Sequence, residues 1–341
     1  MATCERRRRA LVTALPLACL APCTLAASAA PEVLRVARPL MGTRVEVIVQ
    51  SPGRAAEVAP AIEDAFGEMQ RLEALLSRHR NGNPVHALAQ ASGVRPLPVP
   101  PELLTVLRDA RDVSRRTDGA FDITVGAYSG WRFGPAAQPG AVPAAAELAR
   151  QRALVNYRHV SIDEREGSVL LAQRGMRIDL GGIAKLPILE AGMQVLVRHG
   201  LHDALIDGGG DIRAGGRLQG RAWRVGVRDP LRPERLLGVV PLSDGWVASS
   251  GDYERYFWFR NQRQHHILDP RSGMPTRGPR GVTLIGRELQ PLNGLGTALM
   301  VGGRQAAVRW LPALPGVEAL LVEADGSRWT SAGLPARLLP I

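Results

Sequence analysis

The sequence predicts an α+β protein, because amphipathic helices and short alternating strands follow one another without the regular strand–helix–strand repeat of a doubly wound sheet. Apolar residues recur at helical spacing over Ala55–Ser77. Val45, Val47 and Val49 alternate with polar residues in the manner of a half-buried strand. The 341 residues are 45% hydrophobic and 22% charged, which is sufficient for a substantial core. We therefore expect mixed or antiparallel sheets with packed helices, arranged in two lobes.

The same patterns predict the remaining elements in chain order. One strand pair is expected over Val33–Val49, around Met41-Gly42-Thr43. Further helices are expected over Pro100–Thr117, from about Gly182 to Arg198, and over Leu292–Trp310. Short strands are expected at Tyr157–Val160, Ser168–Leu171, Asp203–Asp207, Arg221–Arg228, Gly238–Leu242, Tyr256–Phe259, Gly281–Ile285 and Val317–Glu323. Gly134–Pro143, rich in Pro and Ala, is typical of a linker.

Residues 1–29 have the three parts of an export signal. Arg6–Arg9 are basic, Ala10–Leu25 are mostly apolar, and Ala27-Ser28-Ala29 offers a small-residue cleavage site. The arginines are compatible with twin-arginine export, and retention as an uncleaved anchor is the alternative. We therefore predict a signal over 1–29, a functional domain over 30–341 and a periplasmic location. No later segment reaches 18 apolar residues, so no transmembrane span is expected in the mature chain.

Cleavage would also remove the three cysteines, Cys4, Cys19 and Cys23. A disulfide framework, a thiol nucleophile and a cysteine-based metal site are then excluded from the mature protein. Attachment of a lipid to one of these cysteines is an alternative. The net charge would fall from +11 to +8, because four arginines and one glutamate are lost. The remaining arginines are scattered and are not interleaved with aromatic residues, so no nucleic-acid partner is expected.

Four segments combine glycine with aspartate in a way that suits close approach of the backbone to a ligand. They are Thr117–Gly126, Ile178–Lys185, Ile206–Ile212 and Ser249–Tyr253, the last followed by His265–Pro270. In the second, a strand ends, two glycines turn the chain, and a helix opens with a lysine in its first turn, a combination that favours phosphate binding. The P-loop, GxGxxG, HExxH and GxSxG patterns do not occur, which argues against the common nucleotide folds and hydrolases.

In this order, the segments resemble the ApbE family of FAD:protein FMN transferases. The resemblance rests on Gly119–Gly126, the Asp179–Lys185 sequence DLGGIAK, the GGD turn, SGDYER and HILDP, and it runs from Met41 to Gly303. It implies transfer of FMN from FAD to a Thr or Ser hydroxyl of a partner flavoprotein, with release of AMP and a divalent metal, usually Mg²⁺, on the pyrophosphate. The implied acceptor is a flavoprotein subunit of a membrane-associated redox complex.

The resemblance also assigns residues. It implies that His266 activates the acceptor hydroxyl, and an orienting hydrogen bond is the alternative role. It places the metal on the Gly182 carbonyl, Asn293 and Thr297. It implies FAD contacts for Met41, His79, Ala120, Phe121, Asp122, Asp179, Lys185 and the backbone around Leu268.

The chain departs from the family pattern at several of these positions. Asn293 stands where the family has a metal-binding aspartate, and a neutral amide should weaken Mg²⁺ binding. Leu186 stands where the family keeps glycine and is expected to crowd the nucleotide. Glu190 replaces a later aspartate, and His79 replaces the aromatic residue that stacks on the flavin. A carboxylate such as Asp207 or Asp211 could compensate for Asn293. Two other functions therefore remain open: a weakened FAD-binding carrier, and a hydrolase that splits FAD into FMN and AMP.

Overall fold

The computed structural model describes residues 32–51, 55–133 and 142–341, so the predicted export signal and most of the predicted linker lie outside the described residues. The strands within these ranges are β1 (Glu32–Leu40), β2 (Thr43–Ser51), β3 (Leu97–Pro98), β4 (Val160–Asp163), β5 (Ser168–Leu171), β6 (Ala204–Asp207), β7 (Ile212–Gly215), β8 (Trp223–Arg228), β9 (Leu236–Leu242), β10 (Asp244–Gly251), β11 (Tyr256–Phe259), β12 (Gln262–His265), β13 (Gly281–Gly286), β14 (Glu318–Val322) and β15 (Arg328–Thr330).

The helices follow the predicted positions, with two additions. They are α1 (Ala55–Leu76), α2 (Pro84–Gln90), α3 (Pro101–Arg116), α4 (Ala145–Arg152), α5 (Lys185–Arg198) and α6 (Leu295–Trp310). The sequence did not predict α2 and α4, because seven or eight residues give too few turns for a clear apolar stripe. Helix α5 begins three residues later than expected, because the two glycines before it form a turn.

One large antiparallel sheet separates two hydrophobic cores. Its strand order is β1-β2-β6-β7-β10-β13-β14-β15. Since neighbouring side chains of a strand point to opposite faces, Ile206 and Leu321 lie in the core shared with the helices, while Leu205 and Leu320 lie in the core beneath the β8–β9 hairpin. Helices α1 and α5 pack against each other on the first face. This arrangement leaves the turns at one end of the strands free to line a site.

A smaller core supports the segment that carries His266. Tyr128, Trp131 and Leu148 form its centre, and Phe257 of β11 packs against it. The β11–β12 hairpin is a two-stranded sheet of its own, and β3, β5 and β4 form a three-stranded one. The hairpin ends directly before His266, so its anchoring fixes the position of that residue.

The structure confirms the α+β class and the antiparallel sheets. The described residues form one compact unit, with a core on either side of the large sheet. Among the helices of residues 55–133 and 142–341, none combines the length and the hydropathy that a membrane span requires.

Candidate functional site

Two tight turns meet at one edge of the site. Met41 and Gly42 connect β1 to β2 with φ values of 53° and 68°, and the Met41 N–H donates to Glu73 Oε1 of α1 at 3.0 Å. Gly209, with φ of 76°, lies against the Thr43 side chain so closely that a Cβ at this position would overlap Thr43 Oγ1. Glycine at 209 therefore lets the β6–β7 turn approach the β1–β2 turn, and the backbone around Met41 is held for contact with a ligand.

Lys185 joins three elements through one carboxylate. Its Nζ lies 2.9 Å from Asp211 Oδ2 in the β6–β7 turn, and Asp211 Oδ1 accepts a hydrogen bond from the Ser249 N–H of β10 at 3.0 Å. Lys185 is also the first residue of α5, so its ammonium group and the positive end of the helix dipole lie close together. Both features favour an anionic ligand.

Asp179 lies opposite an arginine rather than free in the site. Its Oδ2 is 3.0 Å from Arg78 Nη1, and its Oδ1 accepts from the Gly181 N–H at 2.9 Å. His79 follows Arg78, and its pKa is lowered by burial and then by the charges of Arg78 and Arg255, against the opposing effect of Asp179. A neutral imidazole thus lies near two arginines, which suits contact with an aromatic or anionic group.

The Asp122 side chain holds the Ala120-Phe121-Asp122 segment in place. Asp122 is buried, and its Oδ1 accepts from the N–H and the hydroxyl of Thr124, while its Oδ2 accepts from the Tyr157 N–H at 2.8 Å. Burial raises the pKa of this carboxyl, and these hydrogen bonds oppose that rise. Because both oxygens accept hydrogen bonds within the fold, the Asp122 side chain caps the 3₁₀ turn at Ile123–Ala127 and holds this segment in place.

The N-terminus of α6 is closely packed. Its Thr297 side chain and the Phe121 ring both lie against Gly182. A Cβ on Gly182 would stand 3.0 Å from Thr297 Oγ1 and 3.1 Å from Phe121 Cε2. Gly294, with φ of 76°, borders the same phenylalanine ring. The structure therefore brings together two of the three predicted metal positions and places the third, Asn293, next to Gly294.

Asn293 is buried without hydrogen-bond partners for its amide. It is 2% exposed, and neither Oδ1 nor Nδ2 has a partner in the described part of the chain. An unsatisfied buried amide costs about 1–3 kcal/mol, so this arrangement is unfavourable unless a ligand supplies the missing partners. No group of three His, Cys, Asp or Glu side chains suited to a metal occurs among the described residues, and Asn293, Thr297 and the Gly182 carbonyl would offer neutral oxygens only.

His266 directly follows β12 and contacts the start of β11. Its Nδ1 lies 3.3 Å from the Arg255 carbonyl oxygen, which can only accept, so Nδ1 carries the proton in this contact and Nε2 keeps its lone pair. Burial, together with the charges of Arg255, His265 and Lys185, lowers the pKa of His266 to about 3. The imidazole is therefore neutral at physiological pH and is able to accept a proton.

Three further positions singled out in the sequence have clear contacts within the protein. The Leu186 side chain is 6% exposed and lies in the main core, and its expected crowding of the nucleotide stays a prediction. Glu190 pairs with Arg213 at 2.8 Å. The Leu268 side chain packs against the core of Tyr128, and its backbone forms a bridge to Pro275.

Sequence reasoning missed the residue that connects the parts of the site. Arg255 provides the carbonyl for His266, its charge acts on His79, and its Nη1 lies 4.0 Å from where a Cβ on Gly42 would stand. Its position in SGDYER was the available signal. The pairing of Asp211 with Lys185 and of Arg78 with Asp179 was likewise not predicted, because the partners are distant in sequence. That the predicted residues bind FAD or a metal stays a prediction.

The fold and the site define a class: antiparallel α+β proteins whose glycine turns, lysine and arginines surround a site suited to an anionic ligand. Comparison with known proteins agrees. The sequence profile of the ApbE family matches residues 41–321. The chain is 33% identical to an FAD:protein FMN transferase of Treponema pallidum over 88% of its length and 87% of that protein, and 30% identical to one of Vibrio cholerae over 87% and 89%.

Solved structures give the same result. The ApbE protein from Thermotoga maritima superposes with a TM-score of 0.82 at 29% identity, over 90% of this chain and 99% of that one. The flavin transferase ApbE from Vibrio cholerae superposes with a TM-score of 0.78 at 27% identity, over 91% and 100%. This chain belongs to the ApbE family, which confirms the resemblance inferred from the motifs.

Proposed function

We propose that the protein is an FAD:protein FMN transferase that moves FMN from FAD to a Thr or Ser hydroxyl of an acceptor flavoprotein. The observation that carries the proposal is the contact of His266 Nδ1 with the Arg255 carbonyl oxygen, which leaves Nε2 free on an imidazole whose pKa is lowered by burial and by the charges of Arg255, His265 and Lys185. The positive charges of Lys185 and Arg255 favour binding of a diphosphate. The unprotonated Nε2 of His266 can accept the proton that the acceptor hydroxyl must lose. The curated relatives are named for this activity.

In the proposed reaction, the acceptor oxygen attacks the phosphorus of the FMN half of FAD. A new P–O bond forms to the acceptor, and the bond from that phosphorus to the bridging oxygen breaks, so that AMP leaves with the bridging oxygen. The hydroxyl proton passes to His266 Nε2. Lys185 and Arg255 stabilise the negative charge on the phosphoryl oxygens, which is the main protein contribution in phosphoryl transfer.

A divalent cation, Mg²⁺ in our proposal, fits the neutral oxygens of Asn293, Thr297 and Gly182. Support comes from the unpartnered, buried Asn293 amide, whose Oδ1 is an acceptable ligand for a hard cation. When bound, the cation would neutralise charge on the diphosphate. The Asp211 carboxylate is engaged by Lys185 and Ser249, and Asp207 Oδ1 accepts from the Gly210 N–H, so both already have partners within the protein. The three protein ligands carry no negative charge, whereas the diphosphate of FAD does. We therefore expect the metal to bind only together with FAD.

We further propose that the protein is exported to the periplasm and acts on a flavoprotein subunit of a membrane-associated redox complex. The composition of residues 1–29 supports export. The acceptor class is the one that the resemblance of the motifs to the family implies.

Asn293 gives specific support to one alternative, an FAD-binding carrier with little transfer. The two functions, and hydrolysis of FAD, are distinguished by incubating the protein with FAD and Mg²⁺, with and without an acceptor domain, and following AMP by chromatography. Transferase activity requires AMP that depends on the acceptor. AMP formed equally without acceptor would indicate hydrolysis, and bound FAD without AMP would indicate a carrier.

A further inference from the structure

Asp252 is a buried carboxylate that lies between two arginines. It directly follows β10 and is 2% exposed. Its Oδ1 lies 2.8 Å from Arg263 Nη1 of β12, and its Oδ2 lies 2.6 Å from Nη1 of Arg280, the residue before β13. Among the described residues, neither arginine has another carboxylate oxygen within 4.0 Å. Loss of the Asp252 charge would therefore leave two arginines uncompensated at a buried position, which is strongly unfavourable.

The contact between Asp252 and Arg263 joins the β11–β12 hairpin to the large sheet. The Asp252 N–H donates to the Arg280 carbonyl oxygen at 3.1 Å, so the carboxylate is fixed at the end of the β10–β13 pair. Arg263 belongs to the hairpin, which is a two-stranded sheet of its own. The ion pair is thus a direct connection between the hairpin and two central strands.

The hairpin is held on both of its faces. Arg263 is the cross-strand partner of Trp258, and its guanidinium lies 5.5 Å from the centroid of that ring. Phe257, whose side chain points to the opposite face, stacks on Phe133 with centroids 5.9 Å apart. An aromatic contact therefore holds one face of the hairpin, and the ion pair with Asp252 holds the other.

His266 is placed by the same hairpin. It directly follows β12, and its N–H donates to the Arg255 carbonyl oxygen at 3.2 Å. The residues on either side of it are attached to Thr276, because His265 Nε2 donates to the Thr276 carbonyl oxygen at 2.8 Å and the Thr276 N–H donates to the Ile267 carbonyl oxygen at 3.0 Å. A shift of β12 would therefore move the His266 imidazole, and a displacement of about 1 Å is sufficient to slow a reaction about 100-fold.

We propose that Asp252 is a positioning residue for His266. Its carboxylate holds Arg263, Arg263 fixes β12, and β12 sets the place of the His266 imidazole relative to the turns that line the site. The inference rests on the proposed function and adds a residue that acts on the transfer rate through another residue.

The test measures AMP release that depends on an acceptor domain with one target threonine. Asp252→Asn keeps the shape of the side chain and removes its charge, so kcat should fall about tenfold or more while the KM and the Kd for FAD change less than about twofold. Asp252→Glu retains the carboxylate and should lower kcat less than about threefold. Arg263→Gln breaks the contact to the hairpin but keeps the pair of Asp252 with Arg280. It should lower kcat as Asp252→Asn does, and it serves as the second variant if Asp252→Asn does not fold.

Asp244→Asn is the matched control. Asp244 begins β10, at the opposite end of the strand from Asp252, and it also lies between two arginines. Its Oδ1 is 2.9 Å from Arg213 Nη1 of β7, and its Oδ2 is 3.3 Å from Nε of Arg287, the residue after β13. Because these arginines belong to the large sheet and the Asp244 side chain is 47% exposed, kcat should stay within about twofold of the unaltered protein.

Proton NMR of the His266 imidazole gives a measure of position that does not depend on activity. Its resonances, assigned with His266→Gln, should shift in Asp252→Asn and Arg263→Gln and stay in place in Asp244→Asn. The inference is overturned if Arg263→Gln leaves kcat unchanged, if kcat falls only in proportion to the unfolded fraction, or if the His266 resonances do not move. The proposed function fails separately, by absence of acceptor-dependent AMP from the unaltered protein, and the NMR comparison still decides whether Asp252 positions His266.

Discussion

Lys185 Nζ lies 2.9 Å from Asp211 Oδ2, and this ion pair links the start of α5 to the β6–β7 turn. Asp211 is 8% exposed and also accepts from the Ser249 N–H. The lysine charge is therefore partly neutralised within the protein before any ligand binds. Asp211 can therefore have one of two roles. It positions Lys185, or it supplies the metal-binding carboxylate that is absent at Asn293.

Asp211→Asn should strengthen binding of ADP by up to about tenfold, because the amide still accepts from Ser249 but no longer neutralises Lys185. ADP is a suitable probe because it carries a diphosphate and no flavin. Titration calorimetry measures the affinity, and Asp207→Asn in the same turn is the control. A loss of Mn²⁺ affinity in Asp211→Asn would show instead that this carboxylate serves the metal.

Asn293→Asp should create metal binding in the absence of a diphosphate. A buried carboxylate without a partner should lower the free energy of unfolding by an amount on the order of 2 kcal/mol, and Mn²⁺ should restore it. The unaltered protein should bind Mn²⁺ measurably only with ADP. Urea unfolding and calorimetry with and without Mn²⁺ check both statements.

Asn156→Asp is the control for this substitution, because Asn156 accepts from the Arg158 N–H and is not one of the proposed metal ligands. If Asn293→Asp gains no affinity for Mn²⁺, Asn293 is not a metal ligand, and the proposed donor set is wrong.

The state of His266 predicts a pH dependence. Its folded pKa of about 3 lies below the ordinary value of 6.5, so the unfolded chain binds more protons between these values. The contribution of His266 to stability is thus full above pH 6.5 and is lost as the pH falls toward 3. His266→Gln should reduce the dependence of the free energy of unfolding on pH in this window.

Binding of ADP should raise the pKa of His266, because the diphosphate neutralises Lys185 and Arg255. Proton NMR of the imidazole, assigned with His266→Gln, measures the pKa with and without ADP. Titration near 6.5 in the free protein, or no change with ADP, would contradict this electrostatic account.

Gly182→Ala should weaken ADP binding and destabilise the protein by about 1–3 kcal/mol, because the new methyl group would press on Thr297 and Phe121. Gly67→Ala is the contrasting control. Gly67 is exposed within α1, and an added Cβ would meet nothing within 4 Å, so alanine should stabilise the helix by about 0.5–1 kcal/mol. Thermal unfolding measures the stability of both variants, and titration measures their affinity for ADP. Equal stability and equal ADP affinity of the two variants would show that Gly182 is not tightly enclosed.

Sequence reasoning located the long elements, because their apolar periodicity reflects the core directly. It missed β10, a central strand of the large sheet, because Ser249-Ser250-Gly251 resembles a loop and its pairing with β7 and β13 depends on residues distant in sequence. In the site, too, residues within local motifs were predicted, and contacts between residues distant in sequence were not. The DLGGIAK and HILDP segments marked Lys185 and His266, whereas Arg255 and Asp211 matter through partners that only the fold brings close. The burial of Leu186 depends on the direction of its side chain, which no motif encodes.

The central claim is transfer of FMN to an acceptor hydroxyl, and intact-mass spectrometry tests it most directly. The protein is incubated with FAD, Mg²⁺ and an acceptor domain that carries one target threonine, beside a version in which alanine replaces that threonine. We predict that the threonine form gains the mass of one FMN group with an equal amount of AMP, that the alanine form gains none, and that His266→Ala abolishes the gain. An unmodified acceptor in the presence of bound FAD would contradict the account.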